Sequence, residues 1–303
     1  MKKTLLLIVC CLVTFTGFSQ EKKEAAKGPW TKVTKLSLLF NQAAFNNQWQ
    51  SGGTSNYAAN FGLTHDANYS KEKITWDNRI VIDYGIANQK DQEFTRKTND
   101  RFELSSLVGK QIKETPWYYS FFLNVRTQLT NGYDFGENEE GNPIRSETTK
   151  ILSPGYFQAG LGMLWKKSDN LKLNIAPATA RLILVNSQFT NVGQVQSDID
   201  AFNQIGYFGV YANETSRFEF GAAIGGYGKF TLSKNVVMEN VLNLYSNYLE
   251  DLQNVDIDYT ISLVMSVNKW ITANVAFQAI YDDNAVKGFQ IREALGVGLT
   301  YGF

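Results

Sequence analysis

Apolar and polar positions alternate most clearly in the last stretch of the chain, residues 289–303. Every second residue there is apolar except Glu293, and the residues between them are small or polar. A period of two predicts a β-strand with one apolar face. The pattern runs to Phe303, as expected where the last strand of a transmembrane barrel pairs with the first and removes the open sheet edge.

The same alternation predicts an all-β, antiparallel, up-and-down transmembrane barrel of about twelve strands. These strands are long enough to cross a bilayer at a tilt, which takes about 9–11 residues, whereas strands of soluble sandwiches are usually about 5–6 residues long. The predicted strands are residues 33–45, 56–70, 73–87, 97–109, 117–130, 156–166, 171–185, 217–232, 236–248, 255–268, 270–281 and 288–303.

The predicted connections alternate between short polar turns and longer loops, which is the asymmetry of outer-membrane barrels. Four tryptophans fall near the short-turn end and indicate an interfacial aromatic girdle, although Trp270 is out of phase with the expected lipid face. These tryptophans are Trp76, Trp117, Trp165 and Trp270. The sequence therefore predicts a location in the bacterial outer membrane, with its lipid as the surrounding partner.

The amino terminus has the layout of a secretory signal peptide: Lys2 and Lys3, an apolar run, then small residues before Gln20. We expect residues 1–19 to be the cleaved signal, residues 20–32 to be a polar periplasmic lead-in, and residues 33–303 to be the barrel. We also expect the insertion machinery of the outer membrane to recognise the final strand, which ends at Phe303.

Charge and cysteine content exclude several classes of function. The chain has 29 basic and 29 acidic residues, and loss of Lys2 and Lys3 would leave it slightly acidic, without the basic face that nucleic-acid binding needs. Cys10 and Cys11 both lie in the predicted signal, so a mature chain would have no thiol for zinc or catalysis. With one histidine, we expect neither a metal site nor a cofactor.

Charged residues on the inward faces of the predicted strands are the candidate lumen lining. Such charges are tolerated in a barrel wall where they face water or each other. The candidates are Asp77, Arg79, Asp83, Arg101, Glu103, Arg126, Glu219, Lys229, Asp256, Asp258 and Arg292. They form either a salt-bridge network that fills the lumen or a lining that selects solutes.

Two hypotheses about function follow. The first is a narrow channel or small-solute transporter in which loop 186–216 forms a constriction. The second is a closed structural or interaction barrel with external binding loops. Val192, Val195, Ile199 and Phe202 give this loop a weak helical period. Twelve strands lie between the eight of filled barrels and the 16–18 of open porins, which leaves both hypotheses open.

An outer-membrane enzyme acting on lipid or envelope polymer is the third and least favoured hypothesis. Barrel hydrolases need a nucleophile beside a histidine base. His65 is in phase with the predicted lipid face, and Ala67 stands where a serine two residues later would be needed. We therefore predict no enzymatic activity.

Short segments along the whole mature chain form a distinctive set. They are 47–53 (NQWQSGG), 76–78 (WDN), 96–103 (RKTNDRFE), 132–134 (GYD), 176–181 (APATAR), 245–249 (YSNYL), 254–259 (NVDIDY), 281–283 (YDD) and 295–299 (LGVGL). In these segments the chain resembles the domain-of-unknown-function 3078 family, outer-membrane-like barrels of Bacteroidota with no assigned activity. The segment 176–181 departs from the Ser-Pro-Leu-Thr-Gly-Lys expected there. The resemblance implies fold and location, and it supplies no catalytic residues.

Overall fold

The structure is a computed structural model that describes residues 28–46, 54–250 and 252–302. The predicted signal peptide, residues 20–27 of the predicted lead-in and Phe303 lie outside these residues. The strands are β1 (Trp30–Ala43), β2 (Asn56–Lys71), β3 (Ile74–Gln89), β4 (Arg96–Gln111), β5 (Trp117–Thr127), β6 (Gly132–Glu137), β7 (Pro143–Thr149), β8 (Gly155–Ser168), β9 (Leu171–Leu184), β10 (Ser216–Ser233), β11 (Val236–Asn247), β12 (Val255–Ser266), β13 (Ile271–Asp282) and β14 (Val286–Gly302).

Twelve of these strands form a closed antiparallel barrel, and β6 pairs only with β7 in a separate two-stranded sheet. Each barrel strand pairs with its neighbours in sequence, apart from β5 with β8, where the β6–β7 hairpin intervenes. The barrel closes where β1 pairs with β14, with Lys35 opposite Gly302 and Leu39 opposite Gly298. The predicted twelve-strand barrel is confirmed.

The strand ends differ from the prediction by a few residues at most positions. β1 begins at Trp30, inside the predicted lead-in, and β5 ends at Thr127. The larger omission is the β6–β7 hairpin, which lies in a stretch that the sequence analysis treated as a loop. Its strands alternate polar and apolar residues only weakly, because both faces of an isolated hairpin meet water.

Alternate residues of the strands point outward and form an apolar surface. Leu161 is 62% exposed and Leu295 is 68% exposed, which suits contact with lipid chains. Within the described residues, no helix is long and apolar enough to cross a membrane. Glu293 is a charged residue on this apolar surface, where it lies opposite Phe277 of β13.

Aromatic residues form a belt on this outward surface at the end that carries the short turns. Trp30 contacts Trp76 with ring centroids 5.6 Å apart, and Trp270 stacks on Tyr301 at 5.3 Å. Trp117 is opposite Trp165 in the β5–β8 register. Trp270 lies just before β13, outside the alternation of that strand, and still belongs to the belt. Trp30 is a further member, which the sequence analysis did not include.

Loop 185–215 folds over the opposite end of the barrel, which we call the loop end. It contains a 3-10 helix, Ser187–Phe189, and one α-helix, α1 (Gln196–Asn203), which covers part of the predicted helical period. Val210 in this loop is fully buried against Ile183 of β9, and Tyr156 of β8 packs on the same cluster. The loop thus covers one side of the barrel mouth.

Candidate functional site: the charged lumen

The charged residues predicted to line the lumen all lie in the inward phase of their strands. Alternate residues of a strand share a face. Several of these residues also form ion pairs with strands that are not their neighbours in the barrel, and such contacts are possible only inside it. The pairs are arranged in layers along the barrel axis. We describe these layers from the end with the short turns toward the loop end.

The lower layer centres on Asp77 of β3. Its carboxylate accepts hydrogen bonds from Lys166 of β8 at 3.0 Å and from Lys172 of β9 at 2.7 Å. Lys166 also donates to the Thr75 hydroxyl at 2.9 Å. Only 6% of the Asp77 surface is exposed. Two lysines from strands three and four places away around the ring therefore neutralise one buried carboxylate.

The middle layer centres on Glu239 of β11, whose carboxylate pairs with three cations. Lys35 Nζ lies 3.2 Å and Lys229 Nζ 3.1 Å from Oε1, and Arg79 Nη2 lies 3.4 Å from Oε2. β11 and β3 are on opposite sides of the ring of strands, so the contact between Glu239 and Arg79 spans the full width of the lumen.

The upper layer joins β4 and β5 to β12. Glu103 accepts hydrogen bonds from Arg101 Nε at 2.8 Å and from Asn124 at 2.7 Å. Arg126 donates to Asp258 at 2.7 Å, and Arg101 Nη2 lies 3.9 Å from the same Asp258 oxygen. Because β4 and β12 face each other across the ring, this layer also bridges opposite walls.

A further cluster lies near the loop end on β9, β10 and β12. Arg181 pairs with Asp256 at 2.5 Å and with Glu219 at 3.4 Å, and its guanidinium lies 3.5 Å from the centroid of the Tyr245 ring. Arg217 contacts Glu219 at 2.9 Å. The predicted lining residues Glu219 and Asp256 are thus neutralised by Arg181 of β9 and, for Glu219, also by Arg217 of β10.

Two predicted lining residues are not in direct ion pairs. Among the described residues, Asp83 and Arg292 have no oppositely charged partner within 4.0 Å. Asp83 is opposite Arg101 in the β3–β4 register, and Arg292 is opposite Gln278 in the β13–β14 register. Both face the lumen close to the upper layer.

Sequence reasoning missed several members of these layers, namely Lys35, Lys166, Lys172, Arg181, Arg217 and Glu239. For most of them a signal was present, since they lie in the inward phase of a predicted strand. Lys172 and Arg181 do not share one phase, because a register shift in β9 separates Ala176 from Thr179. Glu239, for example, alternates with inward Val237 and Val241. What the sequence could not give was the partner of each charge across the lumen, because that depends on the number and stagger of the strands.

Three carboxylates meet at the loop end: atoms of Asp256, Asp282 and Asp283 lie within 4.8 Å of one another. Arg181 already neutralises Asp256. A cluster of acidic side chains is not by itself a metal site, and we assign no ion to it.

His65 lies on the outward face of β2, opposite Ile80 of β3. Its Nδ1 is 2.8 Å from the Thr34 hydroxyl oxygen. That contact satisfies one ring nitrogen with a neutral neighbour on the adjacent strand. It does not place a carboxylate beside the ring.

Comparison with solved structures finds membrane barrels of low identity. The translocator domain of the autotransporter NalP from Neisseria meningitidis is 10% identical, with a TM-score of 0.41, over 99% of this chain and 96% of that one. An outer membrane channel from Pseudomonas putida F1 is 10% identical, with a TM-score of 0.39, over 94% and 98%. The outer membrane channel DcaP of Acinetobacter baumannii is 10% identical, with a TM-score of 0.31, over 90% and 96%.

No curated protein matches the chain. Residues 40–133 match the family described as "Protein of unknown function (DUF3078)". This match confirms the resemblance for the segments that lie between these residues. For the later segments, and for an origin in Bacteroidota, the resemblance stays a prediction. Over residues 40–133, the chain is therefore similar to a family that has no assigned activity.

Proposed function

We propose that this protein is a bacterial outer-membrane barrel whose lumen is closed at rest by its layers of ion pairs. Its outward apolar surface and aromatic belt support the membrane location, since a closed barrel leaves no unpaired edge in lipid. We further propose that DUF3078 membership extends over the whole chain, that outer-membrane lipid covers the outward surface, and that the insertion machinery recognises β14.

The observation that carries the closed lumen is the contact of Glu239 with cations from three other strands, including one on the opposite wall. Nitrogen–oxygen distances near 3 Å leave no space for a hydrated ion between the partners. A solute passing through would have to separate these pairs, and leaving a half-buried carboxylate without its cations costs several kcal/mol. The upper and lower layers repeat this obstacle.

A narrow channel or small-solute transporter is the second candidate. The observation that favours it is that the bridges are side chains, and some of them reach water: the Lys35 side chain is 41% exposed. Side chains can exchange rotamers far more easily than a folded plug can leave a barrel. A ligand or a change in conditions that weakens these ion pairs would then open a charged path for solutes through the lumen.

Single-channel conductance of the refolded protein in a planar bilayer separates the two candidates. Folding is first verified by the heat-dependent shift of the band in electrophoresis. We expect the folded protein to be silent. A steady and reproducible conductance would overturn the closed lumen and support the channel.

A double variant, Glu239→Gln with Asp258→Asn, tests whether the layers are the seal. Both substitutions keep the side-chain size and remove the negative charges that join opposite walls, so the remaining lysines and arginines repel one another. We expect this variant to conduct and to prefer anions. The matched control, Glu139→Gln with Asp134→Asn, alters exposed acids of the β6–β7 hairpin and should stay silent. A silent double variant would show that these layers do not seal the lumen.

A further inference from the structure

The contact between β1 and β14, which we call the seam, is shorter than the other strand pairings. It is in register from Lys35–Gly302 to Leu39–Gly298 only. β14 continues in register with β13 as far as Phe289, and β1 continues with β2 as far as Ala43. If the seam continued, Asn41 would face Gly296 and Ala43 would face Ala294. Among the described residues, neither pair is formed.

Beyond Leu39, both strands therefore present an edge that no described strand pairs with. Backbone amides and carbonyls on such an edge need hydrogen-bond partners, and lipid chains supply none. The outward residues beside it, Phe40 and Leu295, are 54% and 68% exposed. The wall thus has its weakest point in the half of the barrel nearer the loop end, between lumen and lipid.

A cavity of about 420 Å³ lies in the lumen between β13 and β14 on one side and β4, β5 and β8 on the other. Its lining includes the consecutive β14 residues Ile291 and Arg292. Successive residues of a strand point to opposite faces, so Arg292 points into the lumen and Ile291 points to the outward surface beside it. Ile291 is 67% exposed. We call this space the upper cavity.

The upper cavity is lined by hydrogen-bond donors suited to an anion. Arg101, Arg126 and Arg292 contribute guanidinium groups, and Gln278 and Gln290 contribute amides. Arg101 and Arg126 are held by Glu103 and Asp258 of the upper layer. Asp100 also lines the cavity, but Lys97 and the backbone of Leu129 occupy its carboxylate.

Arg292 is the distinctive member of this lining. Its guanidinium makes no ion pair within 4.0 Å and no hydrogen bond with any residue that the structure describes. A half-buried guanidinium normally binds an anion, and its planar fork matches a phosphate or a carboxylate. This unused group lines the cavity from β14, the strand whose pairing with β1 stops at Gly298.

We propose that the upper cavity binds the anionic head group, a phosphate or a carboxylate, of an amphiphile that enters from the lipid through the unpaired part of the seam. Arg292 binds the head group, with Arg126 and Gln278 beside it. The acyl chain leaves past Ile291 and lies along Phe40 and Leu295 on the outward surface. This inference rests on the proposed membrane location and does not depend on whether the lumen conducts.

Binding of dodecyl phosphate to the folded protein, measured by native mass spectrometry from dodecyl maltoside micelles, tests the site. We expect one dodecyl phosphate per barrel. Arg292→Gln should weaken binding at least about tenfold, the value expected for losing a charged hydrogen bond. Lys229→Gln is the matched control, because it removes one cation from the middle layer, away from the upper cavity, and should change binding less than about twofold. Equal affinity of Arg292→Gln and the unchanged protein would overturn the site.

Inorganic phosphate separates an amphiphile from a free anion. We expect it to compete only weakly, because it lacks the chain that packs on the outward surface. If it displaces dodecyl phosphate at equal concentration, the cavity is a small-anion site and the lateral entry is wrong. Single-channel conductance of the same sample tests the proposed closed lumen separately: a steady conductance would overturn the closed lumen and leave the binding result unaffected.

Two cysteine pairs test the route of entry in a background carrying Cys10→Ser and Cys11→Ser. Ala43→Cys with Ala294→Cys lies across the unpaired part of the seam, and Ser37→Cys with Thr300→Cys lies across the paired part. Oxidation of the upper pair should be slower and, once complete, should abolish dodecyl phosphate binding until the disulfide is reduced. The lower pair should oxidise readily and leave binding unchanged. Full binding to the oxidised upper pair would overturn entry through the seam.

Discussion

At the scale of single residues, Glu239 pairs with more cations than the other lumen carboxylates described above, namely Lys35, Arg79 and Lys229. Its side chain is 13% exposed. Glu239→Gln would leave three cations close together without their shared anion. We expect the free energy of unfolding to fall by about 2–4 kcal/mol, slightly less than the roughly 3–5 kcal/mol for breaking a fully buried ion pair, because Lys35 is partly exposed.

Urea unfolding in detergent, followed by tryptophan fluorescence, measures this loss. Glu139→Gln, an exposed acid in the turn of the β6–β7 hairpin, is the control and should change stability by less than about 0.5 kcal/mol. If both variants unfold at the same urea concentration, the middle layer contributes nothing to stability.

The residue scale also shows what the sequence could and could not reveal. Period-two alternation was enough to assign Asp77, Arg79 and Arg101 to the inward face, because that assignment needs only the strand itself. The contact between Arg79 and Glu239 could not be predicted, because those residues are 160 positions apart and meet only when the barrel is closed.

At the scale of elements, the seam depends on close approach of β1 to β14. A Cβ at Gly298 would overlap the Leu38 carbonyl oxygen on the neighbouring strand. Gly298→Ala should therefore disturb one of the few paired positions of the seam and lower the free energy of unfolding by about 1–3 kcal/mol. The heat-dependent mobility shift in electrophoresis measures the loss of the closed barrel.

Gly225→Ala supplies the control for this variant. A Cβ at Gly225 would meet only the Asn243 side-chain oxygen, at 3.8 Å. Its mobility shift should occur at the same temperature as in the unchanged protein. A Gly298→Ala barrel as stable as this control would show that the seam tolerates wider spacing than the structure has.

Loop 185–215 is tied to the rest of the loop end by Tyr207. Its hydroxyl donates to the Thr148 carbonyl at 2.6 Å. Burial and nearby Glu147 raise the pKa of Tyr207, so the hydroxyl stays protonated and able to donate at neutral pH. Tyr207→Phe should weaken this attachment by about 1 kcal/mol without unfolding the barrel.

Hydrogen exchange measured by mass spectrometry checks this expectation. Faster exchange in peptides covering 185–215 and 143–149, with unchanged exchange in the barrel strands, is the expected result. Tyr211→Phe, on an exposed residue of the same loop, should leave exchange as it is. Global acceleration would mean that Tyr207 supports the barrel itself.

The elements were predictable to different degrees for a physical reason. The barrel strands were found because each has one face in an apolar environment and one in the lumen, which imposes a strict period. The β6–β7 hairpin was missed because its faces are not divided in this way. The helix α1 was only suggested by Ile199 and Phe202, since neither is fully buried.

At the scale of the whole molecule, the two ends of the barrel are built for different surroundings. One end has short turns and the aromatic belt, and the other carries the β6–β7 hairpin, loop 185–215 and the upper cavity. Short turns on the periplasmic side and longer loops outside are typical of outer-membrane barrels, so we expect the loop end to face outward from the cell. In that orientation an amphiphile of the outer leaflet would lie level with the unpaired part of the seam.

Epitope tags read by antibody binding test that orientation in intact cells. A tag after Glu139 lies in the turn between β6 and β7, and a tag after Lys113 lies in the turn between β4 and β5. Both positions are exposed turns, so neither insertion should prevent folding. We expect the first tag to bind antibody on intact cells and the second to bind only after the outer membrane is permeabilised. The opposite pattern would invert the barrel and place the upper cavity beside the inner leaflet. Binding to both tags without permeabilisation would contradict a barrel that spans the membrane.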